Sequence, residues 1–140
     1  MGIQTTLSRV EPFARSIMRA VIGFTFSCHG SAKLFGILGG MNGHGAAAGV
    51  FTLLWAAGVI ETIGGILIVV GLFTRAVAFV LSGEMAVAYF TVHAPRGHFP
   101  IQNGGELAVL YCFVFLYLIF AGAGSLSLDR ALGLKQQRVG

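Results

Sequence analysis

Four long apolar stretches make up most of this chain and leave it few folds to adopt. They cover residues 13–35, 50–73, 76–94 and 107–126. Each has about 20 residues, or roughly 30 Å of α-helix, which matches the hydrocarbon thickness of a bilayer. The segments between them are rich in glycine and proline, as helix connections are. The pattern predicts an all-α membrane protein, a single domain over residues 1–140 built as a bundle of four transmembrane helices.

The composition excludes several other classes of protein. Mean hydropathy is +0.84, and apolar residues make up 56% of the chain against 10% charged residues, which is far from a soluble average. The nine Lys and Arg residues form no cluster, so nucleic-acid binding is not expected. Cys28 and Cys112 lack the spacing of a metal site, and no histidine pair has it either. We expect no metal centre and interpret the cysteines as small packing residues, while a redox role for them stays open.

Positive charges lie unevenly along the predicted connections. Those at the N-terminus, the second connection and the C-terminus are Arg9, Arg15, Arg75, Arg130, Lys135 and Arg138. Only Lys33 and Arg96 flank the other side of the predicted bundle. Short cytoplasmic segments of membrane proteins carry the excess of Lys and Arg. The distribution therefore predicts that both termini are cytoplasmic.

Ionisable residues within the apolar stretches are the strongest functional signal. A charge exposed to hydrocarbon is costly, so Arg19, Glu61 and Glu84 are expected to face the bundle interior and contact one another. Their positions along the predicted helices place them at heights that allow this contact. One arginine cannot neutralise two carboxylates, so one glutamate is expected to be protonated or to titrate near neutral pH.

Helical spacing extends this group into an inner polar column, because residues three or four apart share a helix face. The predicted proton network near the midplane is Arg19, Glu61, Glu84 and Tyr117. The predicted ligand-contacting residues are Phe26, His29, Lys33, Glu106 and Phe113. One alternative is that the column only fixes helix register. For Lys33 and Glu106 we favour a second alternative, interfacial side chains that reach to water.

Three groups of residues follow one another at defined spacings. The first is Arg19-x3-Gly23-x2-Phe26-x3-Gly30-x2-Lys33-Leu34-Phe35-Gly36, and the second is Glu61-x2-Gly64-Gly65-x-Leu67-x3-Gly71-Leu72-x-Thr74-Arg75. The third runs from Glu84-Met85-Ala86 through His93-x-Pro95-Arg96-Gly97 to Asn103-Gly104-Gly105-Glu106 and Ser127-Leu128-Asp129. In this order and spacing, the sequence resembles the DoxX family of small bacterial and archaeal membrane proteins from about residue 19 to residue 129.

The resemblance implies a four-helix protein of the inner membrane. Family members are linked to quinone-coupled sulfur oxidation and to thiol or oxidative-stress functions alongside soluble partners. Our leading hypothesis is a redox-associated subunit that holds a quinone, or a similar apolar redox molecule, and moves protons through the polar column. Its partners would be the lipid bilayer and soluble oxidoreductases.

Two other functions are alternatives to a redox subunit. One is a non-enzymatic membrane anchor or assembly factor for a soluble oxidoreductase or stress-response complex. The other is a small transporter, although the sequence lacks the broken helices and inverted repeats that transporters often show. The sequence leaves open whether the chain is itself an enzyme and whether it forms a homo-oligomer through its glycines.

Overall fold

The structure is a computed structural model that describes residues 2–134. All regular elements in that range are helical: α1 Ile3–Phe35, α2 Leu53–Val70, α3 Thr74–Ala88, α4 Pro100–Asn103, α5 Glu106–Ala121 and α6 Leu128–Ala131. Helix α3 continues into a π-helical turn, Tyr89–His93, and a 3-10 turn, Ala94–Arg96. The all-α prediction is confirmed. Lys135 and Arg138, which entered the charge argument, lie outside the described residues.

Two helical stretches of the described chain, Leu53–Val70 and Thr74–Arg96, are long and apolar enough to cross a membrane. Helix α5 is also apolar but shorter. Large side chains on the outside of these helices are open to the surroundings, and Phe79, Phe90 and Phe120 are each about 70% exposed, at 69%, 70% and 71%. An apolar exterior of this extent suits contact with lipid rather than water.

The predicted boundaries differ most at the first helix, which begins at Ile3 instead of residue 13. Hydrophobicity marks the part of a helix that matches the bilayer, whereas the helix itself continues through the polar residues before it. At α2, local caps set both ends. The Thr52 hydroxyl accepts a hydrogen bond from the Trp55 N–H (3.2 Å) at the start of α2, and Gly71 ends α2 with a left-handed φ of 69°.

Glycines allow α1 and α2 to pack backbone to backbone. Gly23 and Gly30 on α1 are seven residues apart, as are Gly58 and Gly65 on α2. A Cβ added at Gly23 would lie 2.7 Å from the Gly65 carbonyl oxygen, and one at Gly65 would lie 2.7 Å from the Ser27 nitrogen. Small residues at this spacing let helices approach closely. Gly65 thus serves a contact within the chain rather than one between chains.

The hydrophobic core lies between the helix pair α1–α2 and the helix pair α3–α5. Its largest fully buried hydrophobic members are Phe26, Ile68, Leu81, Phe115 and Leu118. We call the end that holds the turn at residues 71–73 and α6 the turn end, and the end that holds residues 36–52 and 97–105 the loop end. The ionisable residues inside the structure fall into two separate groups, one near each end.

Candidate functional site

A buried ion pair joins α1 and α2 toward the loop end. The Lys33 ammonium contacts Oε1 of Glu61, whose side chain is 2% exposed, while that of Lys33 is 26% exposed. Close helix packing fixes this pair, because a Cβ added at Gly58 would lie 3.1 Å from the Lys33 Cβ. The interpretation of Lys33 as an interfacial residue that only reaches to water is therefore wrong. Its charge is used to neutralise a buried carboxylate.

Glu84 of α3 lies close enough to this ion pair for both Glu61 and Lys33 to act on it electrostatically. Both carboxyl oxygens of Glu84 are buried, and neither has a hydrogen-bond partner in residues 2–134. The second carboxyl oxygen of Glu61 is also buried without a partner there. Buried polar atoms in proteins usually have partners, so three carboxyl oxygens without one, on two neighbouring helices, are an unusual arrangement.

These charged groups line a cavity of about 550 Å³ between α1, α2 and α3, which we call the loop-end cavity. Its ionisable lining residues are His29, Lys33, Glu61, Glu84 and His93, and the rest of its lining is mostly apolar. A smaller cavity of about 250 Å³ adjoins it on the side of α5 and shares His29, Lys33, Glu61 and His93. An apolar cavity with a few convergent polar groups is the common form of a small-molecule site.

The π-helical turn at Tyr89–His93 shapes the wall of the loop-end cavity. It shifts the helix register beyond Glu84 and brings His93 to the cavity lining. The His93 Nδ1 lies 3.2 Å from the Asn103 carbonyl oxygen, and the buried Asn103 side chain donates to the Gly97 carbonyl oxygen at 2.9 Å. Such turns occur frequently at functional sites. Sequence reasoning missed His93 as a site residue, although it is part of the third motif.

An aromatic wall lines the smaller cavity on the side of α5. The rings of Phe26 and Tyr111 meet edge to face with centroids 4.9 Å apart, and the His29 ring lies 6.0 Å from that of Tyr111. The Tyr111 hydroxyl donates to the Thr25 hydroxyl at 3.0 Å. Phe26 and Tyr111 thus both line the smaller cavity, and sequence reasoning missed Tyr111.

The predicted inner face of the last long helix was wrong. Phe113 and Tyr117 are 63% and 48% exposed, whereas Tyr111 and Phe115 are buried. The Tyr117 hydroxyl lies 3.5 Å from a Glu11 carboxyl oxygen at the turn end. Helix α5 is apolar on all sides, so its sequence has no polar stripe that could show which face is buried.

Glu106 belongs to the predicted inner face of this helix, although the interpretation favoured for it is an interfacial side chain that reaches to water. It is exposed in the first turn of α5, at the loop end. An acidic side chain there is favourable because of the helix dipole, and it needs no buried partner. The exposed position of Glu106 fits the interfacial role favoured for it and not a place in an inner column.

Arg19 does not join the glutamates. It is 2% exposed and lies at the turn end, where its guanidinium donates to the carbonyl oxygens of Val69 (2.6 Å), Ala123 (2.8 Å) and Leu126 (2.6 Å) and also contacts that of Ile68. The predicted contact of Arg19 with Glu61 and Glu84 is therefore wrong. The end of α2 leaves its last carbonyl groups without helical partners, and the arginine supplies the missing donors.

Asp129 is the carboxylate of this second group. Its two oxygens accept hydrogen bonds from the Phe73 N–H (2.7 Å) and the Thr74 N–H (2.9 Å), at the start of α3. Its own N–H donates to the Gly71 carbonyl oxygen at 2.9 Å. Arg19 and Asp129 together, which we call the turn-end cluster, join α1, α2, α3 and the segment after α5.

Comparison with known proteins decides the family. The DoxX family model matches residues 14–94, which is more than half of the chain and includes Arg19, Lys33, Glu61, Glu84 and His93. This chain belongs to the DoxX family. The resemblance drawn from the sequence motifs is thereby confirmed, and DoxX membership together with the apolar helices marks a membrane protein in contact with the lipid bilayer.

Two similar chains come from bacteria. One, from Haemophilus influenzae, is 48% identical over 126 residues, which is 88% of this chain and 93% of that protein, and it carries the name "Uncharacterized protein". The other, from Bacillus subtilis, is 27% identical over 113 residues, which is 81% of this chain and 82% of that protein. It carries the name "Putative oxidoreductase CatD". No solved structure matches this chain.

The predicted site residues thus divide between two groups. His29, Lys33, Glu61 and Glu84 line the loop-end cavity, and Phe26 lines the smaller cavity beside it. Arg19, Tyr117, Phe113 and Glu106 line neither cavity. The first group leaves buried carboxyl oxygens without partners, whereas the turn-end cluster is fully hydrogen-bonded to the backbone. Only the first group therefore has buried polar atoms that could bind a ligand or a proton, as a candidate functional site requires.

Proposed function

We propose that this DoxX protein is a redox-associated membrane subunit whose loop-end cavity binds a quinone, or a similarly apolar redox molecule, and exchanges protons with it. The observation that carries the proposal is the Glu84 carboxyl group, buried at a cavity beside the Lys33–Glu61 pair with neither oxygen hydrogen-bonded in residues 2–134. A group left in this state can bind a proton or donate one to a ligand.

Charge balance supports a proton at this site. Lys33 supplies one positive charge close to two carboxyl groups, so the three side chains are neutral only when one carboxyl holds a proton. Burial of an uncompensated charge is costly in an apolar surrounding. Loss of that proton to a reduced ligand, or its uptake after ligand release, would therefore change the net charge of the cavity by one.

The shape and lining of the cavity support an apolar ligand. Its walls include Leu53, Leu54, Ile60, Met85 and Val92, and all of these except Met85 are also exposed on the outside of the protein. Quinones reside in the bilayer, and they take up protons when they are reduced. Electrons would come from a soluble oxidoreductase partner, in agreement with the name of the Bacillus subtilis relative.

We further propose that the chain crosses the inner membrane four times, with both termini in the cytoplasm. Arg15, Arg75 and Arg130 all line one cleft at the turn end, whereas Lys33 and Arg96 lie toward the loop end. This charge distribution supports a cytoplasmic turn end. Helix α1, with 33 residues, and α5, with 16, would be the two further spans. Cysteine accessibility labelling at both ends tests this topology.

The direct test combines ligand binding with infrared difference spectroscopy. Full-length protein in lipid nanodiscs is titrated with a short-chain ubiquinone, and the spectra of its oxidised and reduced forms are compared. We expect saturable binding and a change in the C=O stretching band of a protonated carboxyl group. Glu84→Gln should remove this carboxyl signal, because glutamine cannot exchange the proton.

Glu106→Gln is the matched control. It also removes one glutamate at the loop end, but its side chain is exposed and does not line the cavity, so the carboxyl signal should persist. Absence of quinone binding, or an unchanged carboxyl signal in the Glu84→Gln variant, would rule out the proposed chemistry.

The second candidate function is a non-enzymatic anchor for a soluble complex. The turn-end cluster favours it, since Arg19, predicted to lie in a proton network, instead holds helix ends together. A pull-down in mild detergent separates the two functions. An anchor should keep both its partners and the cellular phenotype when Glu84 becomes Gln, whereas a redox subunit should keep its partners and lose the phenotype.

A further inference from the structure

The turn end carries a second cavity that the proposed redox site does not use. A cleft of about 980 Å³ opens between the N-terminal half of α1, the start of α3 and the end of α5. Arg15, Arg75 and Arg130 line it, and Glu11 is the one carboxylate in its described lining. Asp129 lines a neighbouring cavity, but its oxygens are already bonded to backbone N–H groups. The cleft is therefore strongly cationic.

Several N–H groups of the arginines in this cleft donate no hydrogen bond to residues 2–134. Arg15 donates to Glu11 at 2.7 Å, and Arg75 donates to the Ile119 carbonyl oxygen at 3.1 Å. In the described part of the chain, the Nε atoms of Arg15 and Arg75 are buried without acceptors, and the Arg130 side chain makes no hydrogen bond. Most N–H donors of the three arginines thus have no acceptor among residues 2–134.

The walls of the cleft are apolar beside these charges. Phe120, Ala121 and Leu134 form part of its lining, and Phe120 is 71% exposed. Three guanidinium groups match the oxygens of a phosphate group, to which arginine donates paired hydrogen bonds. An apolar wall next to them matches the acyl chain of an amphiphile. The combination occurs at lipid-binding pockets between membrane helices.

We propose that this cleft binds the phosphodiester headgroup of an anionic phospholipid. The phosphate lies among the three arginines, and the acyl chains follow the exposed side of α5. A zwitterionic lipid carries a cationic choline group that the same arginines repel, so the cleft selects lipids with net negative charge. The inference is independent of the loop-end redox site, because no residue of the cleft lines the loop-end cavity.

Thermal unfolding of delipidated full-length protein in neutral detergent tests the proposal. Dioctanoyl phosphatidylglycerol, dioctanoyl phosphatidylcholine and inorganic phosphate are titrated separately. We expect phosphatidylglycerol to raise the melting temperature at concentrations about tenfold below those at which phosphatidylcholine acts, since charge-assisted hydrogen bonds are the strong ones. Arg130→Gln and Arg75→Gln should each weaken phosphatidylglycerol binding by about tenfold.

Arg96→Gln is the control, because it removes an exposed arginine at the loop end and should leave lipid binding unchanged. Arg130→Gln keeps the test meaningful if Arg75→Gln fails to fold, since the Arg130 side chain has no described structural contact. Equal stabilisation by inorganic phosphate and phosphatidylglycerol would support a phosphate site in the cleft. It would overturn the lipid as its ligand and indicate a soluble phosphate compound. Equal action of the two lipids, or variants that bind phosphatidylglycerol like the wild type, would overturn the proposal.

Discussion

The two ends of this DoxX protein bury similar ionisable side chains and treat them in opposite ways. At the turn end, Arg19 and Asp129 use their donors and acceptors on backbone groups at helix ends. At the loop end, Glu84 keeps both oxygens buried without a partner in residues 2–134. A fully hydrogen-bonded buried charge stabilises a structure, whereas an unsatisfied one costs stability and is retained for another reason.

The hydrogen bonding of a buried charged group in a membrane helix indicates whether its role is structural or chemical. Burial alone marks Arg19, Glu61 and Glu84 as special, but it does not separate a structural role from a chemical one. The bonding state of the polar atoms does separate them. We therefore expect substitutions in the turn-end cluster to change mainly stability and that of Glu84 to change mainly chemistry.

The largest effect is expected from Arg19→Gln. Glutamine cannot reach the carbonyl groups of α2 and of the segment after α5 together, so several buried acceptors lose their donor. We expect the free energy of unfolding to fall by about 3 to 5 kcal/mol, measured by reversible unfolding in mixed detergent micelles. Arg96→Gln, at an exposed position, should change it little. Wild-type stability in Arg19→Gln would show that the turn-end cluster does not hold the helices together.

The second largest effect is expected from Gly30→Ala. The added Cβ would overlap the backbone nitrogen of Thr62 and lie 2.8 Å from the Cβ of Glu61, so α1 and α2 must separate beside the ion pair. Overpacking of this kind costs about 1 to 3 kcal/mol. Gly83→Ala is the matched control, since nothing lies within 4 Å of a Cβ there. Equal stability of the two alanine variants would contradict the close helix contact.

A smaller effect is expected when the Lys33–Glu61 pair is taken apart. Lys33→Gln and Glu61→Gln should each lower stability by about 1 kcal/mol, because one buried partner is left without the other while Lys33 keeps some access to solvent. The double variant should lose less than the sum of the two, and a double-mutant cycle measures the difference. Strict additivity would mean that the two side chains do not interact in the folded protein.

Part of the fold and of the difference between the two ends could be predicted from the sequence. The apolar stretches gave the helical class, and the rarity of charges in membrane helices singled out Glu61 and Glu84, which now lie along one cavity. The family motifs contained Lys33 and His93. These signals depend on residue type and on spacing along one helix, which the sequence states directly.

The wrong predictions concern contacts that depend on how the helices are rotated and packed against each other. Arg19 was expected to pair with a carboxylate, but carbonyl groups at the end of a helix are equally good acceptors and leave no trace in the side-chain pattern. Helix α5 is apolar all round, so Phe113 and Tyr111 could not be distinguished until packing showed which one is buried.

The smallest effect on stability is expected at the residue with the largest proposed chemical role. Glu84→Gln removes no described hydrogen bond, and the amide is similar in size to a carboxyl group, so the free energy of unfolding should change by about 0.5 kcal/mol or less. Unfolding in detergent at fixed pH measures it beside Arg19→Gln. If Glu84→Gln instead destabilised the protein as much as Arg19→Gln, Glu84 would belong to the structural framework. The contrast between the two ends would then fail, because both buried acids would serve the fold.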